Sequence, residues 1–465
     1  MPQFVKRSPM PVSARALFDW HERSGAFERL TPAWQPTRVI SRTSGITNGS
    51  RVEVEVPVLG GLIHQRMLME HRDYVAGSSF TDVLIEGPFA RWTHKHTMEP
   101  QADGTSVLVD AIDYALPIGA LGEAVAGWFV RGQLDELFAF RHARTRTDLE
   151  QHMAYEQVPR LTVAITGGTG MIGSALTALL RTGGHTVRWI TRSPDLARGD
   201  IGWNPVTGTI DSAALVGVDA VVHLAGANVG ERWTEEHKRA IRSSRELGTR
   251  TLVKALVAMP QRPKVLVSGS AVGYYGDTGS KLIDESSPIG SGFLADVSRV
   301  WEGETAAASD AGIRVAIART GVVLSPAGGA LAKMLPAFRF GLGGPLGSGD
   351  QWMSWISLED EIAALYFLLM TPECSGPYNL TAPAPVTNAE FGSTLGTVLK
   401  RPAVLPVPAF ALKALFGEMA QHTILEGQRA LPARLQAAGF TFQHPDLTAA
   451  LRAELGAGMA RGETF

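Results

Sequence analysis

A glycine-rich segment directly after a short apolar run constrains the fold of this chain more than any other feature. Residues 161–173 read LTVAITGGTGMIG, so three glycines lie between a predicted buried strand and a predicted helix. In this order the first glycine permits a tight turn, the second lets a phosphate approach the backbone, and the third lets the helix pack closely on the strand. The segment therefore predicts a dinucleotide site with the pyrophosphate at the positive end of a helix dipole. The alternative is a glycine-rich turn without a ligand. The predicted cofactor contacts here are Gly167, Thr169, Gly170, Met171, Ile172 and Gly173.

Apolar runs and helical stretches alternate from residue 161 onward. The β-rich runs occupy residues 161–166, 186–191, 219–225, 263–268 and 313–318. This alternation predicts a parallel sheet covered by helices on both faces, which is the doubly wound α/β Rossmann class, over residues 161–373. Helices joined by proline-rich segments predict a smaller C-terminal lobe over residues 374–465.

Arg192 directly follows the second β-rich run, where specificity for the adenine ribose is normally decided. An acidic side chain there binds both ribose hydroxyls of NAD, whereas a guanidinium suits the 2′-phosphate of NADP. The sequence therefore favours NADP(H), preferably NADPH over NADH, with a solvated surface arginine as the alternative. Leu224, Ala225 and Gly226 end the run at 219–225, where small residues leave room for adenine and ribose unless they serve packing alone.

The first part of the chain has a period-two pattern instead. In RVEVEVPV the valines share one face of a strand, and similar runs separated by turn signals extend over residues 39–116. About six antiparallel strands are expected. Ser13 can cap a short helix before them, and helical spacing predicts a long helix from Gly119 to about Arg144. A separate domain over residues 1–150 and a linker over residues 151–160 follow from this change of pattern.

The order of an early strand, short helices, a curved antiparallel sheet and a long last helix resembles the START-like, or SRPBCC, helix-grip family. The segment RWTHKHTMEP and a following strand that ends ALPIG support this resemblance. It implies an α+β domain with an apolar ligand between the sheet and the long helix. His94 and His96 share a strand face there and could bind a metal with His64 or His71. Polar contacts at the mouth of the apolar cavity are the favoured interpretation, and no metal is predicted.

Composition excludes several classes of function. The formal net charge of −2 leaves no large field to attract nucleic acid, so no nucleic-acid partner is expected. Cys374 is the single cysteine, which excludes an intramolecular disulfide and a cysteine-based zinc cluster. The N-terminus has no apolar run of signal-peptide length, and no segment predicts membrane insertion. A soluble cytoplasmic protein is expected, and an oligomer stays open.

Four further segments accompany the glycine motif: VVHLAGANVGERW, VSGSAVGYYGD, RTGVVLSPAGG and GSGDQWMSWI. From Leu161 onward the chain resembles the extended short-chain dehydrogenase/reductase family, and within it the NAD-dependent epimerase/dehydratase-like proteins. The resemblance implies a Rossmann core, a bound dinucleotide and a small-molecule substrate pocket roofed by the C-terminal lobe. It places Thr320, Gly321 and Val322 against the nicotinamide. It assigns the substrate side to Gln351, Trp352, Ser354 and Trp355, with a tryptophan pair that braces two lobes as the alternative. Lys333, on the preceding helical segment, is a candidate contact for an anionic substrate, with a solvated helix face as the alternative.

The proton-transfer residues depart from the pattern of this family. Its members pair a serine after the fifth strand with a Tyr-x-x-x-Lys motif, in which tyrosine transfers a proton and lysine lowers the tyrosine pKa. Ser270, or Ser268, fills the serine position, but GFLADVSRVWEGE places Phe293 and Val297 at the tyrosine and lysine positions. Neither apolar side chain can perform that chemistry. The candidate catalytic residues are therefore Ser270, Tyr274, Tyr275 and Asp296. The alternatives are buried aromatic residues with satisfied hydroxyl groups for the two tyrosines, and an acidic residue that stabilises the first turn of its helix for Asp296.

Two functions follow from this departure. The first is an NADP-dependent oxidoreductase or epimerase with an atypical active site, acting on a small, apolar or carbonyl-bearing substrate. The second is a non-catalytic NADP(H)-binding sensor or a regulatory, partner-binding protein. The preferred interpretation is that the second domain retains redox or epimerase chemistry and that the START-like domain holds or delivers an apolar ligand.

Overall fold

The computed structural model describes residues 3–35, 37–43, 45–58, 63–117 and 120–457. These residues belong to two compact units. The first consists mainly of residues up to Val158, and the second mainly of Pro159–Thr177 and His185–Ala457. Within the described residues, no helix combines the length and apolar character needed to cross a bilayer.

The first unit contains a seven-stranded antiparallel sheet. Its strands are β1 (Gln3–Met10), β2 (Arg38–Arg42), β3 (Arg51–Val58), β4 (Ile63–Val75), β5 (Ser79–Glu86), β6 (Arg91–Pro100) and β7 (Ser106–Ala115), in the spatial order β1-β7-β6-β5-β4-β3-β2. Three helices accompany them: α1 (Ala14–Glu22), α2 (Ala26–Arg29) and α3 (Ala120–Met153). The six strands expected between residues 39 and 116 are present, and Ser13 caps α1 by accepting from the Ala16 N–H.

Helix α3 covers part of this sheet and is longer than the sequence pattern indicated. Leu134 and Phe138 from α3 pack in one apolar cluster with Phe4 of β1 and Ile112 of β7. The helix continues past Arg144 to Met153 because buried side chains keep appearing at helical spacing, at positions 142, 145, 149 and 152. The predicted start, Gly119, lies outside the described residues.

The second unit is built on an eight-stranded sheet in the order β11-β10-β9-β8-β12-β13-β15-β19, parallel except for the β10–β11 pair. Those strands are β8 (Thr162–Thr166), β9 (Thr186–Thr191), β10 (Ile201–Asn204), β11 (Thr209–Ile210), β12 (Ala220–His223), β13 (Val265–Ala271), β15 (Arg314–Thr320) and β19 (Gly376–Leu380). Three two-stranded pairs join β14 (Leu282–Ile283) to β21 (Arg429–Ala430), β16 (Val322–Leu324) to β18 (Trp355–Ser357), and β17 (Trp352–Met353) to β20 (Val386–Thr387). The predicted parallel sheet is confirmed.

Eleven α-helices of the described chain accompany these strands. They are α4 (Met171–Thr182), α5 (Glu235–Ala258), α6 (Phe293–Gly303), α7 (Ala306–Asp310), α8 (Gly329–Arg339), α9 (Leu358–Met370), α10 (Asn388–Leu399), α11 (Ala409–Phe416), α12 (Glu418–Ala420), α13 (Ala433–Ala437) and α14 (Leu447–Leu455). The chain runs outward from β8 through β9 to β10 and returns to β12 on the other side of β8. The crevice between the carboxyl ends of β8 and β12 is therefore the switch point where such sheets bind ligands.

The C-terminal segments share a core with the sheet layer. Strand β19 pairs with β15, so the sheet extends past the expected boundary at residue 373. Leu335 of α8, Phe391 of α10 and Leu451 of α14 are buried in one cluster. The lobe is therefore anchored through α8, and residues 458–465, which the sequence assigned to it, lie outside the described residues.

Candidate active site

The glycine-rich loop has no room for a side chain at three of its glycines, Gly167, Gly168 and Gly173. Gly167 has a φ of +73°, and a Cβ there would lie 3.0 Å from the carbonyl carbon of Leu224. A Cβ on Gly173 would lie 2.2 Å from the carbonyl oxygen of Gly167. Glycine is therefore required at position 167 for the turn and at position 173 for the packing of α4 on the loop. This cradle, at the start of a twelve-residue helix, fits the pyrophosphate of a dinucleotide.

The rest of the loop is open to a ligand. Thr169 and Gly170 are exposed, and Met171 and Ile172 are half-buried at the first turn of α4. Across the crevice, Leu224 and Ala225 are half-buried and Gly226 is exposed. The structure thus brings the residues predicted from two distant segments to the two sides of one crevice.

A buried threonine ties the two sides of the crevice together. Thr166 Oγ1 accepts from the backbone N–H groups of Leu224 and Ala225, both at 3.0 Å. It also lies 2.7 Å from Nδ1 of His223, its register partner on β12. Because two N–H groups already donate to this oxygen, its own hydrogen is directed at the imidazole. Sequence reasoning missed this contact, which depends on the pairing of β8 with β12.

His223 is held neutral beneath the crevice. Its Nε2 lies 3.0 Å from Thr249 Oγ1, and that hydroxyl donates to the Arg245 carbonyl at 2.6 Å. Nε2 therefore carries the ring hydrogen and Nδ1 accepts from Thr166. Complete burial, followed by the positive charge of Arg245, lowers the pKa of His223 to about 4. The loop is positioned by an uncharged hydrogen-bond chain at neutral pH.

Arg192 is exposed after β9, without an ion pair to any residue that the structure describes. Its neighbours are engaged: Arg188 Nε donates to the Gly199 carbonyl at 2.8 Å, and Arg198 pairs with Asp200 at 2.8 Å. Arg192 is thus the guanidinium near this strand end that is accessible to an anionic group of a ligand.

The segment predicted to face nicotinamide is fixed by backbone contacts. Gly321 N–H donates to the Leu380 carbonyl, and Val322 N–H donates to the Ser354 carbonyl at 2.8 Å. Thr320 Oγ1 donates to Glu361 Oε1 at 2.8 Å. Burial of Glu361 raises its pKa to about 8, so a neutral carboxyl group accepts this bond at pH 7.

Ser270 belongs to a buried ion-pair network. Its hydroxyl donates to Glu302 Oε1 at 2.6 Å. Arg319 donates to the same carboxylate through Nε and Nη2, both at 2.8 Å, which is a bidentate arrangement. The Ser270 hydroxyl is therefore a donor to a fixed carboxylate.

The two candidate tyrosines adjoin this network. The Tyr275 hydroxyl donates to Asn379 Oδ1 at 2.8 Å and accepts from Arg319 Nη1 at 2.9 Å. Burial raises the pKa of Tyr275, against the opposing charge of Arg319. The half-buried Tyr274 ring lies under the Arg319 guanidinium, with 3.5 Å from Cζ to the ring centroid. Asp296 is apart from all of these groups, exposed on α6 and 3.5 Å from Arg299.

Apolar packing fills the positions of the absent Tyr-x-x-x-Lys pair. Val297 is buried in a cluster with Trp233, Ile241 and Met419, and Phe293 packs against the same cluster. Phe293 and Val297 therefore serve the packing of α6 in this structure. Met419 brings the C-terminal lobe into this cluster.

A small cleft of about 20 Å³ lies beside Phe293. The loop after β13 lines one side with Gly273 and Gly276, and the C-terminal lobe contributes His422 and Glu426. His422 Nδ1 lies 2.7 Å from Glu426 Oε2, and the imidazole stacks on Trp233. Sequence reasoning missed this pair because no local motif marks it.

A π-helical turn over Gln421–Leu425 positions the pair. Glu426 N–H donates to the Gln421 carbonyl at 3.0 Å, and Gln421 Nε2 donates to Glu426 Oε1 at 2.7 Å. Single π-helical turns are frequent at functional sites. The carboxylate is held on both oxygens, so it orients the His422 ring in the cleft.

Four of the five predicted substrate residues contact neighbouring segments, and the fifth is buried in the C-terminal apolar core. Gln351 Nε2 donates to the carbonyl of Ile424 in the π-helical turn, and Ser354 Oγ donates to the Gln428 carbonyl. Half-buried Trp352 lies under the Arg429 guanidinium, and Lys333 Nζ donates to the Gly230 carbonyl. Trp355 has no exposed surface and belongs to the C-terminal core.

Comparisons with known proteins agree with this geometry. A sequence model of the NAD dependent epimerase/dehydratase family matches residues 163–380, and a model described as a domain of unknown function, DUF1731, matches residues 407–454. The epimerase family protein Mb2239 of Mycobacterium bovis is 49% identical over 290 residues, which cover 62% of this chain and 96% of that protein. The second unit therefore has a Rossmann-like α/β fold.

Two crystal structures are similar over different lengths. That of the nucleoside-diphosphate sugar epimerase from Corynebacterium glutamicum is 34% identical with a TM-score of 0.77, covering 97% of this chain and 90% of that chain. That of the human epimerase family protein SDR39U1 (isoform 2) with NADPH is 38% identical with a TM-score of 0.59, covering 63% of this chain and 99% of that chain. The former similarity includes residues of both units.

Proposed function

This chain belongs to the NAD-dependent epimerase/dehydratase family, and we propose that it is an NADP(H)-binding oxidoreductase or epimerase of small, apolar or carbonyl-bearing substrates. The observation that carries the proposal is the crevice between β8 and β12. Its glycine cradle excludes side chains at Gly167 and Gly173 and opens at the first turn of α4. Residues Thr320–Val322 would lie against the nicotinamide, as the family resemblance implies. When bound, the nicotinamide supplies hydride transfer.

NADPH is the proposed form of the cofactor. The accessible guanidinium of Arg192 suits a 2′-phosphate better than two ribose hydroxyls. The human relative was crystallised with NADPH, which supports the same choice.

His422 is the proposed proton-transfer group. Ser270 and Tyr275 are held in a buried network, whereas His422 lines a cleft beside the position of the absent tyrosine. An imidazole held by Glu426 can take the proton of a substrate hydroxyl as it becomes a carbonyl, or return it in the reverse direction. Tyr274, whose ring faces Arg319, would help to position the substrate.

Cofactor binding is tested by titration calorimetry on the full chain after removal of bound nucleotide. We expect NADPH to bind at least tenfold more tightly than NADH, and Arg192→Asp to reverse that order. Gly173→Ala should abolish binding of both, because its Cβ would meet the Gly167 carbonyl. Gly132→Ala is the matched control, since its Cβ would meet no atom within 4 Å. Absence of binding by the unaltered chain would refute the proposal.

Chemistry is tested by single-turnover absorbance of NADPH with a panel of carbonyl compounds. His422→Gln should slow NADPH oxidation by roughly 10²- to 10⁴-fold with unchanged NADPH affinity. His237→Gln, in a half-buried histidine that does not line the cleft, should leave the rate within twofold. If NADPH binds but no compound oxidises it, the non-catalytic sensor becomes the better account, because the hydroxyls of Ser270 and Tyr275 already have protein partners.

The first unit is proposed to be a START-like domain that holds an apolar ligand. The support is the seven-stranded antiparallel sheet with the long α3 packed on it through Leu134 and Phe138. Extraction of the purified full chain with organic solvent, followed by mass spectrometry, should recover a stoichiometric apolar molecule. Recovery of none, together with no binding of fluorescent fatty acids, would count against a ligand in this unit.

A further inference from the structure

The interior of the first unit holds a cluster of imidazoles and carboxylates that the proposed reaction does not use. We propose that Asp82, His94 and His96 bind a divalent first-row transition-metal ion, such as Zn²⁺ or Fe²⁺. The three residues offer one ligand atom each, and these atoms lie within 4.8 Å of one another. This site is independent of the dinucleotide crevice.

Strand pairing places the three residues on one face of the sheet. His94 and His96 are two residues apart on β6, and Asp82 on β5 is the register partner of His94. Asp110 on β7 is the register partner of His96. Since paired residues of neighbouring strands share a face, four polar side chains point into the same interior space.

The ligand atoms have the spacing of a metal site. Asp82 Oδ2 lies 3.2 Å from His96 Nε2 and 3.8 Å from His94 Nδ1. Two ligands at about 2.0 Å from a tetrahedral zinc ion are about 3.3 Å apart. Two imidazoles and one carboxylate also form the ligand set of many iron(II) sites, and they leave positions open for water or a substrate.

Asp110 occupies the place of an outer partner for both histidines. His94 Nε2, opposite its proposed ligand nitrogen, lies 2.8 Å from Asp110 Oδ1. His96 Nδ1 lies 2.6 Å from the same oxygen, and His142 Nε2 lies 2.6 Å from Asp110 Oδ2. Histidines that bind metals usually direct their second nitrogen to a carboxylate in this way. Asp110 would therefore fix the ring orientation and tautomer of His94.

Several polar atoms of the cluster lack hydrogen-bonding partners. His71 Nδ1 and Asp82 Oδ1 lie 2.5 Å apart, and His96 Nδ1 is also close to Asp110, yet none of these three atoms forms a hydrogen bond of acceptable geometry. The buried Asp110 carboxylate and the half-buried Asp82 carboxylate together require about two positive charges. The rings of His94 and His96 are 3.8 Å apart, so protonating both is unfavourable. A divalent ion neutralises both carboxylates without protonating either ring.

The test uses the tag-free full chain. Elemental analysis of protein purified without chelator should find close to one zinc or iron per chain. After chelator treatment, Co²⁺ should bind with visible absorption bands at a stoichiometry of one, and Zn²⁺ should displace it and raise the thermal midpoint. No retained metal, together with no Co²⁺ spectrum and no change of the midpoint, overturns the proposal.

Variants identify the ligands. His94→Gln and His96→Gln should each weaken Co²⁺ binding at least 100-fold, and Asp110→Asn should weaken it roughly 10- to 100-fold because the ligands remain. His64→Gln, on the exposed part of β4, is the matched control and should bind as the unaltered chain does. Circular dichroism identifies a variant that does not fold, in which case the Co²⁺ spectrum of the unaltered chain decides. Unchanged binding in folded His94→Gln and His96→Gln proteins would overturn the proposal.

Discussion

Each unit of this protein buries a network of charged and polar side chains, and the two networks are satisfied to different degrees. In the second unit, the Glu302 carboxylate receives hydrogen bonds from Ser270 and Arg319, and Arg319 also donates to Tyr275. In the first unit, atoms of His71, Asp82 and His96 lie close to partners without hydrogen-bond geometry. Buried polar groups are normally paired. The fully paired network of the second unit therefore indicates a structural element, and the incompletely paired network of the first unit indicates an incomplete site.

The two networks also differ in how well their charges balance. One guanidinium and one carboxylate cancel in the Arg319–Glu302 pair, whose side chains are 4% and 12% exposed. In the first unit Asp82 and Asp110 share imidazoles that lie close together. A network that balances by itself does not require a ligand, whereas the other is completed by a cation.

The largest effect is expected from breaking the balanced network. Glu302→Gln removes the negative charge beside Arg319 and should destabilise the second unit by about 3–5 kcal/mol, because a buried guanidinium is left without a counter-charge. Differential scanning calorimetry should show a lower midpoint for the unfolding transition of the second unit. The midpoint of the first unit should not change.

Glu304→Gln is a matched control for this change. Its carboxylate pairs with Arg250, whose side chain is 52% exposed, so the midpoint should change little. A small effect of Glu302→Gln, similar to that of Glu304→Gln, would contradict a structural role for this network and favour Ser270 as a catalytic residue again.

A smaller effect is expected from protonating His223. Its pKa is about 4 in the folded chain, below its ordinary value of 6.5, so the folded state binds fewer protons. Its contribution is therefore complete above pH 6.5 and is lost as the pH falls from 6.5 to 4, by roughly 3 kcal/mol. Calorimetry at pH 7, 6 and 5 should show that His223→Gln removes this part of the acid sensitivity.

Protonation of His223 would also place a hydrogen on Nδ1, opposite the hydrogen of Thr166. NADP⁺ affinity should fall over the same pH range in the unaltered chain and stay flat in His223→Gln. A parallel decline in both proteins would show that His223 does not position the loop.

These networks also mark the limit of what the sequence could predict. The glycine loop follows from adjacent residues, because a strand, a turn and a helix act within thirteen positions. The shared face of His94 and His96 follows from the two-residue period of a strand. The convergence of Asp82 and Asp110 on them depends on strand order and register, which no local pattern specifies. His422 reaches the cleft through packing of the C-terminal lobe. The residues around Phe293 indicate that the usual tyrosine and lysine are absent, but they do not indicate that a histidine lies beside them.

The buried carboxyl group of Glu361 shows the effect of burial on a pKa when no cationic side chain among the described residues pairs with the group. Glu361 has one hydrogen-bond partner, Thr320, and burial raises its pKa to about 8 from 4.5. Stability that depends on its neutral form is complete below pH 4.5 and is lost as the pH rises through 8. Glu361→Gln keeps an oxygen for Thr320 and should raise stability at pH 8 by about 4 kcal/mol, with a gain of only about 1 kcal/mol at pH 5. Urea midpoints at both pH values check this, and an equal gain at both would contradict an ionisation effect.

The smallest effect is expected at Asp296, the predicted catalytic residue that lies farthest from a buried environment. It forms an ion pair with Arg299 in which both side chains are 60% exposed, and such pairs contribute at most about 0.5 kcal/mol. As an acidic residue in the first turn of α6, it also interacts favourably with the helix dipole, on the same small scale. Asp296→Asn should therefore change the urea midpoint only slightly and leave both NADPH affinity and the NADPH oxidation rate within twofold. A rate loss of tenfold or more would mean that the first turn of α6 moves into the cleft during turnover and that Asp296, rather than His422, transfers the proton.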